Sequence, residues 1–474
     1  MISPGSYNSI RWRWHLRQIR GVILVDIVMA FSLTILFTAI ITESSEGARD
    51  IFTQAQERNR LIDAYQAGQF IDVRQPYGND RYEETMTVGS STRLSNQNSL
   101  QYLKVSTLPF ANLDDAAGTP LCSIDFSNHD TLGAYASQDQ KVSAVPIITP
   151  IRLPIDPLLP LTHLQVRNGI AYVSTDSATA SDPDLIIVNI QNVNDPVVLS
   201  SINTGPGIAS FTIAGKRIYA AADSTAAQLH VIRMDSLSSL ALEKKFKLLL
   251  PYATATSAVA SSIFYDRGRI YLGTTKWDGD EFNIIDVYNP TAPVKSGGLE
   301  IGSVVNDIYV NDSLAYTASA DMDQFRVVNV NNPVHPMLAN AFVPTGWQRQ
   351  EGKTVSIFES ALNYGRTSGG YNMTQDHEAF TWATTSSSTL ANPISIDIPG
   401  GVYGIVADRF HIFLANRQLN RELQIYDRSL AADLDSIATS SYSLPVAPQS
   451  MTCDNDKIYV LAHTGPYIYQ ITFK

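Results

Sequence analysis

The chain has 474 residues, of which 44% are hydrophobic and 17% charged. That is too little charge for a disordered chain and enough apolar content for a large core. A net charge of −11 with no basic domain argues against nucleic-acid binding, since phosphate neutralisation supplies most of such affinity. Two cysteines exclude a disulfide scaffold and a four-cysteine zinc site.

The first 20 residues hold four arginines (Arg11, Arg13, Arg17 and Arg20) and no acid. Residues 22–41, VILVDIVMAFSLTILFTAII, form a nearly unbroken apolar run. Twenty residues rising ~1.5 Å each span the ~30 Å bilayer core. With arginines before the run and Glu43 and Glu46 after it, a single membrane span is expected. The N-terminus is then cytoplasmic and the C-terminal domain extracytoplasmic.

Asp26 interrupts the run. A carboxylate in an apolar helix is tolerated at the membrane boundary, or inside a bundle when paired with a cation. The order is a basic leader, Gly21, an apolar run, and an acid at the fifth position after the glycine. This arrangement, Gly21-Val22-Ile23-Leu24-Val25-Asp26, resembles the prepilin signal of type IV pilins and type II secretion pseudopilins. Here Val22 stands in place of the usual phenylalanine and Asp26 in place of the usual glutamate. The resemblance implies that a prepilin peptidase removes residues 1–21, cutting between Gly21 and Val22. It also implies methylation of the Val22 amine and pairing of Asp26 with the amine of a neighbouring pilin-like subunit.

Residues 42–66 contain no proline, and Ala48, Ile51, Phe52, Ala55, Leu61 and Ile62 recur at helical spacing. A helix is therefore expected over 22–66, with its transmembrane half at 22–41. Residues 67–142 read as a small β-rich region or linker, with strands at 84–88, 100–107 and around 121–126. Cys122 and Cys453 can pair outside the cell, joining this region to the C-terminal part.

Internal repetition organises the rest. A short β motif carries an aromatic at one fixed place: Tyr172, Tyr219, Tyr271, Tyr316, Tyr364, Phe413 and Tyr459. The spacings are 47, 52, 45, 48, 49 and 46 residues. In the first unit an Asn168-Gly169 turn leads into the motif, a strong hairpin signal. Each unit reads as four strands, so residues 143–474 are expected to form a seven-bladed β-propeller of four-stranded antiparallel blades. The third strands Leu185–Asn189, Phe282–Asp286 and Phe325–Asn329, each followed by a proline turn, resemble the LVIVD repeats of surface propellers. The last unit is one strand short, and residues 143–153 can supply it and close the ring.

Loops between second and third strands gather on one face of a propeller. There the sequence places Asp176, Asp182, Asp184, Asp223, Asp278, Asp280, Glu281, Asp321 and Asp323, while the loops of units five and six are mixed or basic. Carboxylates at 278–281 have the chemistry to hold calcium, though without the EF-hand spacing. Trp277, Trp347 and Tyr403 fall in or beside these loops. Aromatics beside acids suit a peptide or glycan ligand. No Gly-x-Ser-x-Gly elbow, His-Glu-x-x-His pair or phosphate-binding glycine loop is present. The expectation is a binding protein, not an enzyme, without a cofactor. Its best reading is a minor pilin or pseudopilin displaying a propeller for adhesion. The alternatives are a non-assembling anchored scaffold and a cell-surface propeller hydrolase.

Overall fold

The computed structural model describes residues 72–74 and 85–87, and 146–473 except 178, 180, 250–255, 345–349, 359–360, 368–376, 383–392, 399, 408–410, 428–439 and 455–456. The leader, the apolar run with Asp26, the helix expected to residue 66, and the strands expected at 100–107 and 121–126 lie outside the described residues. Among the described residues no helix is long and apolar enough to cross a membrane. The chain divides into two compact units at Ala111/Asn112. In the first, the strands Asp72–Arg74 and Thr85–Thr87 pair antiparallel, with Val73 opposite Met86.

The second unit contains a ring of seven four-stranded antiparallel sheets. The innermost strands of blades 1 to 7 are Leu161–Arg167, Ile208–Ala214, Ala260–Asp266, Val305–Asn311, Gly352–Phe358, Val402–Ala407 and Pro448–Asp454. The hairpins joining first to second strands use the expected chemistry. Asn168 and Gly169 both have positive φ, 52° and 74°, as do Arg267 and Gly268, 44° and 77°. Such turns match the twist of the strands they join.

Each second strand is buried almost throughout, because neighbouring blades cover both its faces. The repeated aromatic sits there and is at most 5% exposed in all seven blades. The outermost strands, such as Val197–Ile202 and Met337–Phe342, face solvent. The core is therefore a set of clusters between blades. One joins Tyr459, Leu461 and Ile468 of blade 7 to Leu164, Val166 and Ala171 of blade 1.

The ring closes as the strand count requires. Blade 7 takes its inner three strands from the C-terminal segment and its outermost from Pro146–Arg152. That strand pairs antiparallel with Tyr467–Phe473, Pro146 opposite Phe473 and Arg152 opposite Tyr467. Its two prolines, Pro146 and Pro150, cannot donate to a ladder and suit the outermost position. The clasp holds both ends of the ring in one sheet.

Candidate functional site: the channel mouth

The innermost strands surround a central channel of about 920 Å³, lined by residues from all seven blades. Its most regular feature is a β-bulge at the second residue of every innermost strand. A bulge leaves one residue outside the ladder and re-aims its side chain. Because the repeat is strict, all seven bulged residues fall at one mouth of the channel.

In three blades the bulged side chain braces the ring. Thr162, Ser261 and Asn306 each donate to a backbone carbonyl of the next blade: Ile208 O at 2.6 Å, Val305 O at 2.7 Å and Gly352 O at 2.7 Å. Blade 2 has Ala209 at this place and blades 5, 6 and 7 have Lys353, Tyr403 and Gln449. These four do not make the brace.

A second ring lies at the same mouth, at the residue that follows each second strand. Its backbone N–H donates to the segment entering the same blade's first strand, as in Asp176 N to Pro160 O, 2.9 Å, and His463 N to Ala447 O, 2.7 Å. Around the ring this place is Asp176, Asp223, Thr275, Ala320, Thr367, Arg417 and His463. The mouth is thus acidic at blades 1 and 2 and basic at blades 5 to 7.

On the acidic side, burial and the adjacent Asp223, to which it is hydrogen-bonded, push the Asp176 carboxyl above its ordinary value. On the basic side, the Arg417 guanidinium lies over the Tyr403 ring, 3.7 Å from its centroid. It donates to Gln449 Oε1 at 2.9 Å and to Pro448 O at 3.2 Å. Gln449 Oε1 is also 2.8 Å from His463 Nδ1. Burial lowers the basicity of Lys353, opposed by Asp307 and reinforced by Arg417. His463 is lowered by burial and then by Arg417 and Lys353. Deeper in the channel, burial raises the Asp307 carboxyl to about 6, while the backbone N–H groups of Val355 and Ile308, each 2.9 Å away, hold its charged form.

Of the residues that the sequence singled out, Asp176, Asp223 and Tyr403 join this mouth, and the other described ones are dispersed. Asp278 accepts from the Thr256 N–H at 2.6 Å and its hydroxyl at 2.9 Å. Asp280 pairs with Lys295 at 2.7 Å. Asp321 and Asp323 both face the buried Arg326 guanidinium. Trp277 is buried and donates its indole N–H to Asp280 O at 2.9 Å. Trp347, Gly21, Val22 and Asp26 lie outside the described residues. Among the described residues, no three His, Cys, Asp or Glu side chains are grouped to hold a metal ion.

Glu281 belongs to a repeated brace. It is fully buried and accepts from the Ile301 and Gly302 N–H groups at 2.8 and 2.9 Å. The residue before the third strand does the same elsewhere. Asp184 receives the Thr204 N–H, Gln228 that of Leu248, Glu378 that of Ile398 and Glu422 that of Leu444. Each fastens the segment that leads to the next blade. Cys453, lining the far end of the channel, is disulfide-bonded. Cys122 is the one other cysteine in the sequence.

No protein-family model matches this sequence, and no curated protein does. The ring is similar to solved propellers. A catalytically inactive variant of virginiamycin B lyase from Staphylococcus aureus, solved with quinupristin, is 14% identical with a TM-score of 0.50. The match covers 69% of this chain and 99% of the lyase. The selenomethionine form of that lyase gives a TM-score of 0.49 at 12% identity, over 69% and 99% of the two chains. The computationally designed Ika8 protein gives 0.45 at 9%, over 68% and 99%. Identities this low speak to fold alone. The chain is a seven-bladed β-propeller protein.

Proposed function

We infer that this protein is a minor pilin or pseudopilin that displays its propeller outside the membrane as a binding head for a surface ligand. The observation that carries the reading is the segment from Arg11 to Ile41. A basic leader, Gly21, an apolar run of bilayer length and the single acid Asp26 occur there in the prepilin order. Cleavage after Gly21 would leave an amine on Val22. Asp26 of a neighbouring subunit would neutralise it, and a charge pair in an apolar helix bundle is stable where a lone charge is not. The central channel, of small-molecule size and with charged and polar groups at its mouth, supports binding as the head's task. The resemblance of the third strands to LVIVD repeats fits a surface location.

The test is Asp26→Ala in the native host. Loss of the protein from the sheared surface fraction, with membrane insertion intact, supports assembly through this acid. Undiminished recovery in the sheared fraction sinks it. The second reading, an anchored scaffold that does not assemble, is favoured by aspartate at the acid's place, since its shorter side chain has less reach. It predicts that the sheared fraction is empty in both the parent and the variant.

A further inference from the structure

Resting on the reading of the propeller as a binding head, the basic sector of the mouth narrows what the head binds. Lys353, Tyr403 and Gln449 occupy the bulge place in three consecutive blades, where Thr162, Ser261 and Asn306 brace the ring elsewhere. Their side chains are therefore released from the structural task of that place. Two cationic groups, Lys353 and Arg417, converge there beside the imidazole of His463. Among the described residues none of the three makes an ion pair, although Asp307 and Glu351 attract Lys353 from further off. Like charges gathered at a partly desolvated site repel one another and attract an anion.

The guanidinium is also held in position before any ligand arrives. Tyr403 lies beneath it at 3.7 Å, and Gln449 and the Pro448 carbonyl receive two of its N–H groups. A guanidinium has five N–H donors, so others remain for a planar oxyanion. The rest of the channel lining mixes apolar side chains with hydrogen-bonding groups. Asp176, Asp223 and Asp307 are acceptors, and the hydroxyls of Ser210 and Thr354 are close by. Acceptors of this kind suit ligand hydroxyls.

We propose that the mouth at blades 5 to 7 binds an acidic saccharide, its carboxylate held by Lys353 and Arg417 and its hydroxyls by the carboxylates around the same channel. Tyr403 and Gln449 are positioning residues that fix the guanidinium. A channel of about 920 Å³ accommodates one or two sugar units, within the usual range for small-ligand sites.

The experiment uses the full-length chain in detergent micelles at constant ionic strength, with D-glucuronate, D-glucose and acetate as probes. Thermal unfolding reports binding, since a ligand of the folded state raises Tm with its concentration. Glucuronate should raise Tm, and glucose and acetate should do so at concentrations at least tenfold higher. Lys353→Met and Arg417→Met should each weaken the glucuronate effect by about tenfold or more, the size of one charge-assisted contact. Lys353→Met without ligand should melt close to the parent, because Lys353 makes no hydrogen bond or ion pair among the described residues and its attraction to Asp307 and Glu351 is offset by its burial and its repulsion of Arg417. That result shows the variant to be folded. The proposal is overturned if glucuronate leaves Tm unchanged, if the variants respond like the parent, or if acetate acts as well as glucuronate. Assembly through Asp26 plays no part in this readout, so the two readings fail separately.

Discussion

Removing one side chain from the clasp tests whether Pro146–Arg152 is an integral part of the ring. Ile151 is fully buried, in the cluster that joins blade 7 to blade 1 through Tyr459, Leu461, Ile468 and Leu164. Ile151→Ala deletes three buried carbons and leaves a cavity between two blades. Substitutions of this kind cost about 2–5 kcal/mol. In a domain of this size each kcal/mol moves Tm by roughly 2 °C, so a fall of about 4–10 °C is expected. Ile147 lies on the same strand and is 37% exposed. Ile147→Ala should cost less than about 1 kcal/mol, as surface changes do. The two variants are compared by calorimetry of the full-length chain, with circular dichroism to verify the folded baseline. Equal melting of both variants, or parent-like melting of Ile151→Ala, would refute the clasp as the closure of the ring.

Three further outcomes follow from buried polar groups. Glu281→Ala should destabilise by roughly 1–3 kcal/mol, since the Ile301 and Gly302 N–H groups lose their acceptor inside the protein. Glu281→Gln, which keeps one acceptor, should cost less in the same denaturant titration. Burial raises Glu378 to about 8 from an unfolded value of 4.5, so the folded state holds a proton that the unfolded state releases. Its contribution is present below pH 4.5 and is lost as pH rises toward 8. Glu378→Gln should flatten that slope, and an unchanged slope would count against it. His230 is fully buried, with neither ring nitrogen hydrogen-bonded, and burial lowers it to about 4 from 6.5. Here the unfolded state takes up the proton first. Stability should fall as pH drops from about 6.5 to about 4, by roughly 3 kcal/mol at ~1.4 kcal/mol per pH unit. His230→Leu should remove that part of the acid sensitivity, read as Tm against pH.

The blade count was readable because the second strand is covered on both faces. A large ring side chain is kept in one slot there, so Tyr172 to Tyr459 recur at almost constant spacing. The clasp followed from the same count, since the last unit is one strand short. The mouth was harder to read. Its bulged place is filled by Thr, Ala, Ser, Asn, Lys, Tyr and Gln, which share no side-chain property. A bulge is defined by the register of two strands, and single-strand patterning does not reveal it. Arg417 and His463 follow second strands at the same offset as Asp176 and Asp223. Aligning the seven units on their aromatic would have set the four side by side. The loop acids show the opposite difficulty. Asp280, Asp321 and Asp323 pair with Lys295 or Arg326, and Glu281 is inside the protein. Composition alone does not separate a brace from a ligand-facing acid.

The central claim is that the propeller is carried by a processed pilin-like segment. It is tested most directly by the N-terminal residue of the native protein, determined by mass spectrometry of membrane and sheared-surface fractions. The account predicts a chain that begins at Val22 with a methylated amine, present in both fractions. A chain that retains residues 1–21 in both would contradict it.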